Sequence, residues 1–308
     1  MKIVRVNMAD LSVTAADPPP EYALLAGRAL CSRLVADEVP PGCHPLGPRN
    51  KLVFAPGLLA GTNAPSSGRL SVGGKSPLTG TIKESNAGGV CGQKLASLGI
   101  GALVIEGRPA DGGWYVLVIG EGGMELKPAG DLVGKGCYEV NERLRAEYGS
   151  QIGVICIGPA GEMRMKAAGV STSDREGGPG RYAGRGGLGA VMGSKGLKAI
   201  VVNTRKSFDA PVADKDRLRK ASQVLTKALQ NHPVTGQALP TYGTAVLVNI
   251  INEAGGLPTR NFSAGRFEEA AATGGEAMAE AVKQRGGAGK MGHPCHAGCV
   301  IRCSNVIP

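Results

Sequence analysis

The chain has 308 residues, a length typical of two domains, and 42% of them are hydrophobic, which favours a buried core over global disorder. Its 35 lysines and arginines outnumber 25 acidic residues, giving a formal net charge of +10. The basic residues form no long run and have no aromatic residues between them, so an anionic cofactor or a generic basic surface explains the charge as well as RNA does, and we expect no nucleic-acid partner.

The amino terminus and the cysteines indicate the compartment. Residues 2–7 begin directly with a strand pattern, so the start does not resemble a signal peptide. No apolar run approaches the roughly 20 residues of a membrane span. Eight cysteines in a chain of this length are not a disulfide scaffold. We therefore expect a cytoplasmic protein with reduced thiols, some of them available to a metal, and no membrane partner.

The first two thirds of the chain alternate short strand patterns with a few helical patterns. Apolar periodicity predicts strands at residues 2–7, 11–14, 51–55, 102–106, 114–119, 124–127, 152–157 and 198–203. It predicts helices at residues 21–39, 90–98 and 138–148. This part is predicted to contain β-sheets with helices packed against them.

The first of two glycine-rich segments covers residues 64–89 and carries Arg69, Lys75 and Asn86. Glycines let the backbone turn sharply and let a ligand approach bare N–H groups. Two cations and an amide beside such a backbone favour a large anionic ligand. A set of glycine-rich β-turns on a compact sheet is the alternative.

The second segment covers residues 177–195, and residues 184–189 match G-x-G-x-x-G. As a dinucleotide fingerprint the match is weak, because no strand leads into it and no acidic residue follows at the expected distance. Arg181 and Arg185 flank this glycine loop where a helix begins, and a helix N-terminus favours phosphate.

Composition changes near residue 207, after which amphipathic helices are predicted at residues 214–230, 244–254 and 276–284. The fold class is therefore α+β. We expect a β-sheet, cofactor-binding base domain over residues 1–207 and part of an α-helical domain over residues 208–308.

Three cysteines close to the end of the chain, Cys295, Cys299 and Cys303, are spaced four residues apart. Thiolates at this density suit an iron–sulfur cluster or zinc. A zinc site could recruit His293 or His296 as its fourth ligand, whereas a 4Fe–4S cluster needs a further thiolate. Three unrelated buried thiols are the remaining alternative, and the other five cysteines are expected to be structural.

Several motifs together resemble the aldehyde:ferredoxin oxidoreductase family, whose members carry two tungsten-bound or molybdenum-bound pterins and a 4Fe–4S cluster. They are N-K-L-V-F-A-P-G at residues 50–57, K-S-P-L-T-G at 75–80, S-N-A-G-G at 85–89, I-G-P-A-G-E at 157–162, A-G-R-G-G-L-G-A-V-M-G-S-K at 183–195, Y-G-T-A-V-L-V-N-I-I-N-E at 242–253 and the three terminal cysteines. The similarity extends over essentially all 308 residues, which are roughly half of a family member.

The resemblance implies particular site residues. It implies that the bis-pterin is bound by Arg69, Asn86, Gly88, Arg181, Tyr182, Gly184 and Arg185. Backbone carbonyls of Asn86 and Tyr182 would hold a Mg²⁺ ion between the pterin phosphates. The resemblance further implies that Cys295, Cys299 and Cys303 bind the 4Fe–4S cluster. No catalytic residue and no fourth cluster ligand is assigned.

The resemblance also implies a reaction, the oxidation of aldehydes to carboxylic acids with ferredoxin as electron acceptor. One departure leaves the substrate class open: Gly298 lengthens the C-x-x-C spacing of some members to C-x-x-x-C. The alternatives are a related tungsten enzyme that acts on an aromatic acyl-CoA and an inactive cofactor-binding or assembly subunit. Expected partners are ferredoxin or an electron-transfer subunit, a small aldehyde, the missing C-terminal half or a partner chain, and a second copy in a homodimer.

Overall fold

The computed structural model describes residues 1–206 and 208–307. The chain forms two compact units, Met1–Ala213 and Asp214–Pro308. The last residues of the two predicted domains, Ser207 and Pro308, lie outside the described residues. Within the described ranges, no helix is both long enough and apolar enough to cross a membrane.

The first unit contains two six-stranded mixed sheets. The strands of the first sheet are β1 (Lys2–Asn7), β2 (Ser12–Ala16), β3 (Leu52–Pro56), β4 (Leu70–Lys75), β5 (Ile82–Ala87) and β6 (Ile100–Glu106), in the spatial order β2-β1-β6-β3-β4-β5. The strands of the second are β7 (Tyr115–Gly120), β8 (Gly123–Pro128), β9 (Gly153–Cys156), β10 (Val170–Thr172), β11 (Arg181–Ala183) and β12 (Leu197–Asn203), in the order β11-β10-β9-β12-β7-β8. Strand β5 is thus an edge of one sheet, and β11 is an edge of the other.

Five helices accompany these sheets: α1 (Gly27–Glu38), α2 (Cys91–Ser97), α3 (Cys137–Tyr148), α4 (Pro159–Glu162) and α5 (Leu188–Ser194). Successive side chains of a strand point to opposite faces of its sheet. Both faces of each sheet are buried here. One face of each sheet joins α2 and α5 in a shared core around Phe54 and Leu117. Helix α1 covers the other face of the first sheet, and α3 covers the other face of the second. The predicted α+β class is confirmed.

The first helix is shorter than predicted. Residues 21–39 were expected to be helical, but α1 begins at Gly27, after a short 3-10 turn at Pro20–Tyr22. Ala26 has an extended backbone, which interrupts helical hydrogen bonding, and Leu24 is 85% exposed. The Tyr22 hydroxyl donates to Asp37 Oδ2 at 2.8 Å, so this turn folds back along α1 instead of extending it.

The second unit is mostly helical. Its α-helices and strands are α6 (Lys215–Asn231), α7 (Leu239–Tyr242), α8 (Leu247–Glu253), α9 (Ala270–Thr273), α10 (Gly275–Arg285), β13 (Lys290–His293) and β14 (Ser304–Val306), with a π-helix at Pro233–Ala238 and a 3-10 helix at Thr244–Val246. Asp214 caps α6 by accepting a hydrogen bond from the Arg217 backbone N–H at 2.8 Å. Strands β13 and β14 pair antiparallel, with His293 opposite Ser304. The cysteine-rich residues 294–303 form the loop between them.

Candidate cofactor cradle and metal-binding loop

The two glycine-rich segments meet at the edges of the two sheets, where β5 contacts β11. The Arg185 N–H donates to Ser85 Oγ at 3.2 Å, and the Ser76 hydroxyl donates to the Gly186 carbonyl at 2.7 Å. The Thr172 hydroxyl similarly donates to the Gly88 carbonyl at 3.0 Å. Segments about a hundred residues apart in sequence therefore form one surface, which we call the cradle.

The cradle surrounds an open cavity of about 660 Å³. Its lining residues come from α1, from β5, from β11 and from the chain between β11 and α5: Arg28, Ser32, Lys83, Glu84, Ser85, Asn86, Tyr182, Gly184 and Arg185. Three of these side chains are cationic and one is anionic. The excess of positive charge and the polar lining suit an anionic ligand.

One ion pair crosses the cradle, because Arg28 Nε lies 3.1 Å from Glu84 Oε2. The Arg28 side chain is 77% exposed, whereas only 9% of the Glu84 side chain is exposed. The sequence identifies neither residue as part of the site, nor does it identify Ser32 and Lys83. Ser85 enters the sequence analysis only as the first residue of the S-N-A-G-G motif. Arg28 and Glu84 belong to no local motif and are 56 positions apart, so only the packing of α1 against β5 brings them together.

Arg69 and Asn86 form a second polar contact beside the cavity. Arg69 Nε donates to Asn86 Oδ1, and Arg69 Nη2 lies 3.3 Å from the Asn86 carbonyl oxygen. The Asn86 amide in turn donates to Ser71 Oγ at 3.2 Å. Arg69 does not line the cavity itself, so its contact with Asn86 connects it to the cradle.

The predicted cofactor-binding residues fall into two groups. Asn86, Tyr182, Gly184 and Arg185 line the cavity. Arg69, Gly88 and Arg181 lie in or beside the same edge elements but outside the lining, and Arg181 is the β11 residue that faces Thr172 of β10. Lys75, which the sequence offered with Arg69 as one of the two cations of the first segment, is buried and donates from Nζ to the Cys43 carbonyl at 2.8 Å.

The expectation that no strand leads into the G-x-G-x-x-G match is wrong, because β11 ends at Ala183, directly before Gly184. The glycines of the match have different roles. A Cβ added to Gly184 would meet nothing closer than the Tyr182 Cβ at 3.9 Å, so Gly184 leaves the cavity open. A Cβ on Gly189 would lie 2.3 Å from the Gly169 carbonyl oxygen, so Gly189 permits close backbone packing. Helix α5 has only seven residues, all of them buried. The expected phosphate site at its N-terminus therefore gains no support from the structure.

The cysteine loop of the second unit brings three possible metal ligands together. Ligand atoms of Cys295, His296 and Cys299 all lie within 4.8 Å of one another. Cys295 Sγ is 3.1 Å from His296 Nδ1, and the hydrogen bond with Cys295 lowers the pKa of the Cys299 thiol to about 5. Cys303 lies outside this group, and its carbonyl accepts from the Thr244 N–H at 3.0 Å.

The donors of this loop fit a soft metal centre. Thiolate sulfur and imidazole nitrogen are the ligands that zinc and iron–sulfur centres prefer. Because the ligand atoms of Cys295, His296 and Cys299 lie so close together, their present arrangement suits the binding of a single metal ion. A 4Fe–4S cluster would bind each thiolate through a different iron atom and would need a wider spacing, with Cys303 included. The loop turns at Gly298 and Arg302, which both have positive φ, next to two of the three cysteines.

The cysteines of the first unit have surroundings that differ from this loop. Burial raises the pKa of Cys31 and raises that of Cys91 to about 12. Cys137 and Cys156 share a hydrogen bond, which lowers the pKa of the half-buried Cys137 to about 7 and raises that of the buried Cys156. No three-residue metal group forms around them in the described part of the chain.

Comparisons with known proteins identify the family of the chain. Residues 3–204 match the family model of the aldehyde ferredoxin oxidoreductase N-terminal domain, and residues 220–308 match the model of domains 2 and 3. The tungsten-containing aldehyde ferredoxin oxidoreductases of Pyrococcus furiosus and Pyrococcus abyssi are 41% and 42% identical to it over alignments 308 residues long, which cover 99% of this chain and 48% of each relative.

A solved structure is also similar, the active-site complex BamBC of benzoyl coenzyme A reductase with 1,5-dienoyl-CoA. The similarity covers 100% of this chain and 47% of that chain, with a TM-score of 0.78 and 27% sequence identity. The chain spans about half the length of the curated relatives it matches. On the match of both family models and the identity to these relatives, the chain belongs to the aldehyde ferredoxin oxidoreductase family.

Proposed function

We propose that this chain forms the cofactor-binding part of an oxidoreductase that oxidises aldehydes to carboxylic acids and passes the electrons to ferredoxin. Its cofactors would be a tungsten or molybdenum bis-pterin and a 4Fe–4S cluster. One observation carries the proposal: two glycine-rich segments, each matching the family, meet around a single basic cavity. We retain the division into a base domain over residues 1–207 and a partial helical domain over residues 208–308.

Residues of the cradle would hold the anionic end of the pterins. Lys83 and Arg185 supply positive charge, and Gly184 leaves room for a phosphate to approach the backbone. Backbone carbonyls of Asn86 and Tyr182 would bind Mg²⁺ between the phosphates. Gly88 and Arg181 lie on the same two segments, and Arg69 would contact the cofactor beside Asn86.

The cysteine loop would hold the cluster through Cys295, Cys299 and Cys303. When bound, the metal–pterin would supply the two-electron chemistry and the cluster would carry single electrons to the acceptor. The role of this chain's residues is to bind and orient these groups. Remaining pterin contacts, the fourth cluster ligand and the substrate pocket would come from the other half of the protein or a partner chain. Ferredoxin or an electron-transfer subunit, and a second copy of this chain, are the further proposed partners. We also propose a cytoplasmic location, because the cytoplasm keeps thiols reduced and all eight cysteines are free.

Two rival functions have weaker support. The similar benzoyl coenzyme A reductase complex suggests reduction of an aromatic acyl-CoA. Its sequence identity to this chain is 27%, however, which is lower than the 41% identity of the aldehyde ferredoxin oxidoreductase of P. furiosus. An inactive cofactor-binding or assembly subunit would bind the cofactor in the cradle but would not convert a substrate. Measuring aldehyde-dependent dye reduction in the intact protein distinguishes this rival from the proposed enzyme.

The proposal is tested by reversing one charge of the cradle. Arg185→Glu would place a carboxylate against the pterin phosphate, so we expect at least a tenfold loss of bound pterin, measured by fluorescence after oxidative release. Arg49→Glu is the matched control, because Arg49 is exposed and does not line the cavity. Equal pterin content in both variants, with both folded, would refute the assignment of the cradle.

A further inference from the structure

Two cysteines of the first unit, Cys137 and Cys156, form a pair of neighbouring thiols, although both are expected from the sequence to be structural. Cys137 is the first residue of α3, and Cys156 is the last residue of β9. Both side chains pack in the hydrophobic cluster that α3 covers, and they share a hydrogen bond. Cys137 is half-buried, whereas Cys156 is 1% exposed. One thiol of the pair is therefore accessible, and its partner is shielded from solvent.

The surroundings of Cys137 favour its thiolate. The hydrogen bond with Cys156 and the positive charge of Lys198 lower the pKa of Cys137 to about 7. Lys198 is fully buried, pairs with Glu162, and donates from Nζ to the Lys135 carbonyl at 2.8 Å, two residues before Cys137. The position of Cys137 at the start of a twelve-residue helix acts in the same direction. Cys137 is thus suited to act as a nucleophile.

The strand register places this pair beside the cradle. Cys156 of β9 is opposite Ser171 of β10, and Ser171 is opposite Tyr182 of β11. Residues directly opposite each other lie on the same face of a sheet. The Tyr182 and Ser171 hydroxyls both form hydrogen bonds with the Cys137 sulfur. Because Tyr182 also lines the cavity, the two thiols are separated from the cradle by a single side chain.

We propose that Cys137 and Cys156 are a redox-active dithiol, which a hydroperoxide oxidises to a disulfide. This site goes beyond the proposed aldehyde oxidation and does not depend on it. Cysteines that respond to peroxides typically combine an accessible thiolate with a second cysteine close enough to resolve the oxidised sulfur. Cys137 has the first property and Cys156 the second. Burial raises the pKa of Cys91 to about 12, so this thiol of the same unit lacks the first property.

The chemistry proceeds in two balanced steps. The Cys137 thiolate attacks the terminal peroxide oxygen, the O–O bond breaks, and a sulfenic acid forms. The departing alkoxide takes up the proton that Cys137 released and leaves as an alcohol, or as water when the oxidant is hydrogen peroxide. The Cys156 thiol then attacks the sulfenic sulfur, so the S–S bond forms, the S–O bond breaks, and water leaves with the thiol proton. The two thiols lose two electrons, which the peroxide gains.

The experiment treats the intact protein anaerobically with an equimolar amount of hydrogen peroxide. Remaining thiols are then blocked by alkylation, and tryptic peptides are mapped by mass spectrometry without reduction. A disulfide between Cys137 and Cys156 joins the peptides of residues 136–143 and 146–164. We expect this linkage to exceed every other linkage of Cys137 at least tenfold. The matched control is Cys43→Ala, which removes another buried thiol of this unit and should leave the yield unchanged.

A variant tests the order of the two steps. Cys156→Ala removes the resolving thiol, so Cys137 should stop at the sulfenic acid, and dimedone should trap at least tenfold more of it at completion than in the wild type. If this variant does not fold, Cys156→Ser replaces it. The inference is overturned if the folded wild type forms no Cys137–Cys156 linkage or forms several Cys137 linkages in equal amounts. Equal dimedone adducts in wild type and variant would overturn it as well.

Discussion

The cradle of the first unit and the cysteine loop of the second unit are supported in opposite ways. The cradle lies where two sheets end, and behind it every residue of α2 and α5 is buried. The loop joins two short strands, β13 and β14, and the longest helix of its unit, α6, has no buried residue. The cradle is therefore built by a complete core, whereas the loop buries Cys295 and His296 within a unit whose longest helix has no buried residue.

This difference teaches that the two candidate sites depend on their ligands to different degrees. Metal sites on lightly packed segments gain much of their order from the metal, because binding free energy becomes folding free energy. A cavity between well-packed sheets keeps its shape without a ligand. We therefore expect that metal loss disturbs the loop while leaving the cradle intact, and three predictions test this contrast.

The largest effect is expected for Cys299→Ala in the intact protein. Removing one thiolate should abolish the broad visible absorption of a reconstituted cluster and most of its iron, since a cluster needs each of its protein ligands. Cys43→Ala, which removes a buried thiol of the first unit, should retain both. Stoichiometric zinc without iron after anaerobic reconstitution would contradict the cluster assignment.

The packing behind the cradle is tested by Gly193→Ala in α5. A Cβ at this position would lie 2.0 Å from the Gly161 carbonyl oxygen, so we expect a loss of unfolding free energy on the order of 3 kcal/mol. Urea unfolding followed by fluorescence of the single tryptophan, Trp114, reports on this unit. Gly122→Ala is the control, because nothing lies within 4 Å of its added Cβ. Equal stability of the two variants would contradict the close packing.

The smallest predicted effect concerns thiol reactivity within the first unit. The hydrogen bond with Cys156 lowers the pKa of Cys137 to about 7, whereas burial raises that of Cys91 to about 12. Thiolates are the reactive form, so alkylation of Cys137 should rise between pH 6 and 8 and exceed that of Cys91 at least tenfold at pH 7.5. Peptide mass spectrometry measures both rates.

A matched variant tests the cause of this reactivity. Cys156→Ala removes the hydrogen bond to Cys137, so the pKa of Cys137 should rise and its alkylation should slow. Native Cys137 labelled no faster than Cys91 would contradict the prediction. A confirmed prediction would show that the well-packed unit also contains a reactive thiol.

The sequence predicts the cradle in part, because glycine, arginine and asparagine in two segments indicate an anion site without any knowledge of the fold. It does not predict Arg28 and Glu84, whose contact depends on where α1 packs. It also overextends α1, since apolar spacing continues through Leu24, which the structure exposes. Periodicity works best for α6, whose predicted range of residues 214–230 is close to the observed Lys215–Asn231.

The cysteine loop shows a different limit of sequence reasoning. Spacing identifies Cys295, Cys299 and Cys303 as one group, yet the structure groups the first two with His296 instead. Which donors approach each other depends on the turns at Gly298 and Arg302, and those backbone angles leave no clear signal in the residue spacing. The participation of Cys303 in a metal site stays a prediction.

The meeting of β5 with β11 has a consequence for the solubility of the protein. An uncovered edge strand offers free N–H and C=O groups to a strand of another molecule, which is a route to aggregation. Here the two sheets turn one edge each towards the other, and the Ser85–Arg185 and Ser76–Gly186 hydrogen bonds span the gap. The same geometry that opens a cavity for a ligand thereby shields the two facing edges, β5 and β11, from strand addition. Substitutions that separate the two segments would therefore promote self-association and would also reduce binding of the ligand.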